Sequence, residues 1–283
     1  MATLSELVFY PIKSCAGISV LEATLTHAGL AVDAVYDREW MLVDPQGRYL
    51  TQREHPRMAL IVPMLKAETL EVRAPGMLRL EIPLGLPDPE HELTREVTLW
   101  DDTMLAYDCD ELTATWFSNA VGTACRLVRF HPSVTRLSNP RWTGGVEAPN
   151  LFSDGYPVLL IGRASLDDLN GRLAAAGRPA LPMNRFRPNI VVDGLEAFEE
   201  DYVASFTSNQ AVLQPVKPCP RCPIPSVDQA TGEAGPDPLD ILRGYRRKPA
   251  LDDAICFGMN CIVAGGDGER LVVGQELTVS LAF

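Results

Sequence analysis

No run of about 18 apolar residues occurs in the chain, so no helix of the kind that crosses a bilayer is expected. The start, "MATLSELVFYPIKS", lacks a basic opening followed by a long apolar stretch, which argues against a secretory signal. Positive charge is scarce as well. The chain carries 25 Lys and Arg against 37 Asp and Glu, a net charge of −12. That balance excludes the broad basic face that nucleic acid or an anionic membrane requires. It leaves room for a local anion pocket, because a few arginines converging in a cleft hold a phosphate whatever the total charge. No Gly-rich dinucleotide fingerprint is present: "GLAVDAVYDRE" lacks the glycines it needs. Repeats and low-complexity tracts are missing too. Seven cysteines, an odd number with no signal sequence, read as reduced thiols of a cytoplasmic protein and not as a disulfide framework.

The 283 residues allow one large domain or two ordinary ones. Apolar residues at 46% are close to the globular norm, and 23 prolines with 21 glycines suit a turn-rich β architecture. Short segments rich in β-branched and aromatic residues fill the first hundred positions: "ELVFYPI", "LEATLT", "EWMLVD", "RMALIVPML", "TLEVRA", "LRLEI" and "EVTLW". "DELTATWFSNAVG" reads as a helix capped by Asp110 and ended by Gly122. Residues 132–150, polar and rich in Pro and Gly, read either as a surface linker or as a loop over a site. Beyond them "YPVLLIG" reads as a buried strand. "RASLDDLNGRLAAAGRP" reads as a helix with Ser165 at its N-cap, Asp167 and Asp168 in the first turn, Leu166, Leu169 and Leu173 on one face, and Gly177 past its end. "RPNIVVDG", "YVASFTS", "AVLQPV", "CFGMNCIVAGG" and "ERLVVGQELTVSLAF" return to strands. The picture is two β-rich units with a few helices, divided near residues 125–150.

Chemistry concentrates in "VKPCPRC", Val216–Cys222. Cys219 and Cys222 have the spacing of half a zinc site, with Cys256 and Cys261 as the other half, yet strand alternation would point that second pair to opposite faces. A redox dithiol needs Cys-x-x-Cys at a helix start, which Pro218, Pro220, Pro223 and Pro225 forbid. A third reading is one thiolate acting alone, with Arg221 beside it lowering its pKa and a soft or high-valent metal as its partner. An inert cysteine in a stiff loop is the fourth.

"YPIKSCAG", "DREW" and "TQREHPR" resemble the N-terminal domain of the MOSC family (molybdenum-cofactor sulfurase C-terminal domain proteins). "FSDGYPVLLIGRASLDDLN", "FRPNIVVDG", "CPRCPIPSVDQATGE" and "FGMNCIVAGG" are similar to the MOSC domain itself. The nearest branch holds the mitochondrial amidoxime reducing component and bacterial reductases of N-hydroxylated compounds. This resemblance implies an α+β, mainly β fold. An N-terminal MOSC-type β-barrel domain would span 1–125, and a MOSC β-barrel domain with a few helices 126–283.

It also implies a molybdenum cofactor, a pterin (molybdopterin) whose metal is held by the second cysteine of the Cys-x-Arg-Cys unit. That is Cys222 here, catalytic and metal-ligating at once. Lys13 and Ser14 are then expected to grip the pterin's terminal phosphate, and Arg38 and Arg187 to offer planar forks to phosphate or pterin carbonyls. Asn189 would donate and accept towards the pterin ring. Gly155, Tyr156 and Asn260 fall on segments that approach the cofactor, and Arg221 is the electrostatic neighbour of Cys222. Asp228 matches an acidic position with a role as proton donor or water anchor, against the plainer reading of a turn cap. The implied reaction is reduction of small N-hydroxylated substrates (amidoximes, hydroxylamines, N-hydroxylated bases) to amines, with electrons from a separate reductase. The alternative within the family is a sulfur carrier or cofactor-binding module using Cys222. Pyridoxal phosphate binding attaches to the family only as a general term.

Two departures stand out: Pro220 lies where relatives often carry a small hydroxyl residue, and Tyr156 where they often have serine. With no further cysteines after the MOSC-like motifs, an iron–sulfur cluster is not expected in this chain.

Overall fold

Val158–Gly162 and Ile190–Asp193 are apolar at successive positions because both their faces are covered. Val158, Leu160, Ile190 and Val192 point into the interior of a barrel. Ile161 and Val191 point outward against Leu166, Leu169 and Leu173 of the helix Arg163–Ala175. The two strands pair in parallel, and the helix between them is the crossover that such pairing requires.

The protein is described here by a computed structural model covering residues 1–88, 90 and 92–282. Seven strands close the barrel. From Val158–Gly162 the ring runs through Ile190–Asp193, Ala2–Phe9, Glu276–Leu281, Val203–Ser208, Ala211–Pro220 and Ala254–Gly265, and the last pairs back with the first. Ala2–Phe9, from the start of the chain, therefore sits inside the barrel otherwise built by the second half. In return Arg270–Val272 pairs with Glu22–Thr26 in a sheet of the first half. The halves expected to divide near residues 125–150 exchange a strand in each direction.

The first half forms three smaller antiparallel sheets; the one holding Glu22–Thr26 buries Ala23 and Leu25 with the barrel interior, and the other two border a second core. Its centre is Trp40, Phe117, Ile12 and Leu127. The architecture is mainly β with a few helices, as expected. "RMALIVPML" is not a single strand: Pro56–Leu60 turns as a 3-10 helix, with proline at its first position, and only Val62–Leu65 is extended. The helix Glu111–Val121 has its expected ends, with Asp110 accepting from the Thr113 amide at 2.8 Å and Gly122 left-handed at φ 86°. The helix Arg163–Ala175 begins three residues earlier than expected, directly out of the strand, so Gly162 and not Ser165 is its N-cap and Asp167 and Asp168 lie beyond its first turn. The Ser165 hydroxyl is buried instead against Glu200, at 2.7 and 2.8 Å from its two carboxylate oxygens.

The strand Ala211–Pro220 carries Pro215, Pro218 and Pro220, none of which can donate to a ladder. Its pairing with Ala254–Gly265 accordingly slips between Pro215 and Lys217 and again between Pro218 and Pro220. Opposite the second slip stands Gly258 at φ 77°, where a Cβ would come within 2.6 Å of Ile161 Cγ1. This bulge overturns the strict alternation expected for "CFGMNC". Phe257 packs outside the barrel, while Met259 and Cys261, also odd-numbered, lie inside. No helix among the described residues is long and apolar enough to cross a membrane.

Candidate functional site

A cleft of about 340 Å³ opens where the two halves meet. From the first half come Lys13 and Ser14 after the strand Ala2–Phe9, Arg38 in the turn before Trp40–Val43, and Thr51 and Arg53. The second half supplies Gly155 and Tyr156 before Val158–Gly162, Arg187 and Asn189 before Ile190–Asp193, the end of Ala211–Pro220 with Arg221 and Cys222, and Asn260. Ten of the eleven residues expected at a site line this one cleft. The structure does not bring Asp228 to it.

Three of the lining residues hold left-handed backbones without being glycine: Ser14 at φ 64°, Arg38 at φ 53° and Arg187 at φ 56°. Each costs on the order of 1–3 kcal/mol, and such residues gather where a ligand is held. Gly155 is the matching case among glycines, at φ 145° with open space where a Cβ would stand.

Cations dominate the lining. Lys13, Arg38, Arg53, Arg187, Lys217 and Arg221 face the cleft, and Asp154 is the lone acid among the lining residues described. Lys13 is buried and donates to the Phe152 carbonyl at 2.9 Å and to the Asp154 carboxylate, which leaves one N–H for a ligand. Burial pushes its pKa down, with Asp154 pulling the other way. The Arg38 and Arg187 guanidiniums both lie over the Tyr10 ring, each 4.4 Å from its centre. Burial lowers the Arg187 pKa and raises that of Tyr10, against the pull of both arginines on the latter.

Arg38 also donates to Asp37 and, at 2.9 Å, to Asn189 Oδ1. The Asp37 carboxyl is pushed up by burial and drawn back by Arg38. Asn189 Oδ1 takes a second bond from the Leu159 amide at 3.2 Å, and Nδ2 donates to Val8 O at 3.2 Å and Asp37 Oδ1 at 3.0 Å. All four hydrogen-bonding positions of the amide are spent inside the chain. Asn189 thus holds Arg38 in place and has nothing left for a pterin ring, which corrects the direct contact expected of it.

At the other end stand the cysteines. The Arg221 guanidinium does not serve Cys222. It donates to Cys219 Sγ at 3.3 Å and to the Phe186 carbonyl at 2.8 Å. Cys222 lies just past the strand end, half-buried, on the cleft wall. Cys256 and Cys261 are buried thiols, the first raised to about 11 and the second further, both by burial. Among the described residues no group of three or more His, Cys, Asp or Glu side chains is placed to hold a metal. That is against the four-cysteine zinc arrangement. Asp228 accepts from the Ala230 amide at 2.8 Å and from Arg185 at 2.7 Å. The turn amides and Arg185 hold its carboxyl below its ordinary value. It is an ionised turn cap, unsuited to giving a proton.

Three residues that line the cleft each carry a buried polar atom with no partner among the described residues: Thr51 Oγ1, Tyr156 Oη and Arg221 Nε. Tyr156 is raised to about 12 by burial, so it stays a donor. Thr51, Arg53, Trp100, Asp154 and Lys217 were not found by sequence reasoning. Signals existed for most of them: Thr51 and Arg53 lie in "TQREHPR", Asp154 lies in "FSDGYP", and period-two alternation puts Lys217 on the same face as Cys219. The stretch 132–150 is a loop at the site and not a detached linker, because Trp142 within it lies 5.4 Å from Lys217 Nζ.

Residues 1–124 match the profile of the MOSC N-terminal beta barrel domain and residues 147–278 that of the MOSC domain. The chain is 36% identical over 252 residues to mitochondrial amidoxime reducing component 2 of Rattus norvegicus, covering 87% of this chain and 73% of the relative. Mitochondrial amidoxime-reducing component 1 of Homo sapiens is 31% identical with the same coverage of both chains. Molybdenum cofactor sulfurase of Oryza sativa subsp. japonica is 32% identical over 97% of this chain, which spans only 35% of that larger protein.

Proposed function

The chain belongs to the MOSC family, built from a MOSC N-terminal beta barrel domain and a MOSC domain, and from that premise we propose that it is a molybdenum-cofactor oxidoreductase. Its substrates are small N-hydroxylated compounds (amidoximes, hydroxylamines, N-hydroxylated bases), reduced to amines with electrons from a separate reductase. One observation carries the proposal. In a chain of net charge −12, a half-buried thiol and six cations line a single cleft. Among the relatives, amidoxime reduction is named for proteins matched over most of their length.

The residues fit the cofactor. An anionic pterin phosphate suits Lys13, Ser14, Arg38 and Arg187, and the unpartnered Thr51 hydroxyl adds a donor. Cys222 offers the soft sulfur that a high-valent metal prefers. When bound, the molybdenum pterin supplies the two-electron, oxygen-accepting chemistry that no side chain in the cleft can perform.

The overall conversion takes R–NHOH, two electrons and two protons to R–NH₂ and water. The chain's own part is to hold and orient. Asp37 and Asn189 fix Arg38, and Tyr10 spaces it from Arg187, so the anion site is formed before a ligand arrives. Tyr156 narrows the cleft and, with its pKa near 12, can give a hydrogen bond at neutral pH without losing its proton. Trp142, from the stretch 132–150, packs its ring beside the cleft-lining Lys217 at 5.4 Å. The seven free cysteines suit a reducing compartment, and we place the protein in the cytoplasm on that ground.

The test is reduction of benzamidoxime by protein made in a cofactor-competent host, with an artificial electron donor. Turnover that Cys222→Ser abolishes supports the reading. Unchanged turnover in Cys222→Ser means the thiolate is misassigned, and a persulfide on Cys222 in pterin-free protein would favour a sulfur carrier.

A further inference from the structure

Four of the six cleft cations have a polar partner within the chain, and a fifth, Arg53, is hydrated. Lys13 holds Asp154 and Phe152 O, Arg38 holds Asp37 and Asn189, and Arg187 reaches Gln229 at 3.5 Å. Arg221 holds Cys219 and Phe186 O, and Arg53, over the Trp100 ring at 4.7 Å, is exposed to water. Lys217 differs. Among the described residues its ammonium meets no carboxylate, carbonyl or hydroxyl, and its neighbours are two aromatic rings, Trp142 at 5.4 Å and Tyr156 at 5.8 Å. A half-buried cation between ring faces is only weakly compensated, because two such contacts replace little of the hydration it loses.

A second, independent feature lies beside it. Tyr156 lines the same cleft, and its buried Oη has no partner among the described residues. An ammonium and a hydroxyl donor that flank one space, both without acceptors, are the two halves of a site for anionic oxygen. The two rings beside them add faces for a planar group.

The position along the chain says which ligand this is. Lys217 lies across the sheet from Asn260 and two residues before Cys219, on the strand that delivers Cys222 to the cleft. Of the groups suited to a cofactor phosphate, Lys13, Ser14, Arg38 and Thr51 come from the other half of the chain, and Arg187 stands with Arg38 over the Tyr10 ring. Trp142 belongs to the short helix Pro140–Thr143, whose loop packs against Lys217. The Lys217 space is therefore on the thiolate side, beside the loop that carries Trp142.

We propose that Lys217, Tyr156 and Trp142 form a substrate-selecting subsite, which favours planar N-hydroxylated compounds bearing a carboxylate over their neutral counterparts. Lys217 supplies the countercharge, the Tyr156 hydroxyl donates to the same oxygen group, and Trp142 covers the ring. The proposal rests on the reductase reading for the N-hydroxyl group but not for the anion, and its test separates the two.

Calorimetric titration with benzamidoxime and with 4-carboxybenzamidoxime is made on the protein as purified from a cofactor-competent host. The wild type is expected to bind the carboxylated compound about tenfold more tightly, the effect of one shielded ion pair. Lys217→Met brings the affinity ratio close to unity, Lys217→Arg keeps most of it, and Tyr156→Phe lowers it about threefold, the loss of one hydrogen bond. A ratio near unity in the wild type overturns the subsite, and so does a ratio that survives Lys217→Met. Should Lys217→Met fail to fold, the wild-type ratio and the Tyr156→Phe change decide. Reduction of both compounds is assayed in parallel: a preserved binding ratio without turnover removes the reductase reading and leaves the subsite standing.

Discussion

The Arg221 guanidinium donates to Cys219 Sγ at 3.3 Å, so the arginine between the two cysteines serves the first and leaves the second free on the cleft wall. Cys219 thereby acquires a task, as the acceptor that fixes Arg221 against the Phe186 carbonyl. Cys219→Ser keeps an acceptor and is expected to unfold at nearly the wild-type urea concentration. Cys219→Val removes it and should cost about 1 kcal/mol more, the usual worth of one hydrogen bond. Equal stability of the two variants would show that the sulfur contact carries no weight.

Asn189 is the knot of the anion site, with four bonds reaching Arg38, Asp37, Val8 and Leu159. Asn189→Leu, close to it in size, leaves buried partners unsatisfied and should lose at least ~2 kcal/mol in equilibrium unfolding. It should also loosen cofactor retention, by freeing Arg38. A loss under ~0.5 kcal/mol would mean that these bonds are readily replaced by water.

Glu200 is fully buried against Ser165 and the Gly162 amide, and burial raises its pKa above the ordinary 4.5. Between the unfolded and folded values the native state holds more protons than the unfolded chain. Stability therefore falls as pH rises through that interval, and is fullest below it. Glu200→Gln keeps an acceptor for Ser165 without the charge. Its stability curve from pH 4 upward should lack this descending arm when measured by denaturant unfolding at fixed ionic strength. An arm of unchanged slope in the variant assigns the effect to another group.

Much of this was legible in the chain, for local reasons. "VLLIG" and "NIVVD" announced strands covered on both faces because their apolar positions are consecutive, and Asp110 with Gly122 bounded a helix by chemistry that acts within four residues. What sequence reading missed depends on partners far along the chain. Ser165 looked like a cap because it precedes two aspartates, yet its hydroxyl is committed to Glu200, 35 residues away. Asn189 looked like a ligand because its amide can donate and accept, and only the fold reveals that Val8 and Asp37 already use it. The MOSC-like motifs led to ten cleft residues. Thr51 and Arg53 lie within "TQREHPR" but were given no role there, and Trp100, in no motif, enters only through the way the two halves meet.

The most direct test of the account is metal and pterin content. Protein expressed in a cofactor-competent host is assayed for molybdenum and zinc, and for the fluorescent oxidised pterin, beside Cys222→Ser and Cys219→Ser. Molybdenum equimolar with the wild-type chain, accompanied by pterin, retained in Cys219→Ser and lost from Cys222→Ser, is the predicted result. Zinc in place of molybdenum, or equal molybdenum in all three proteins, would contradict it.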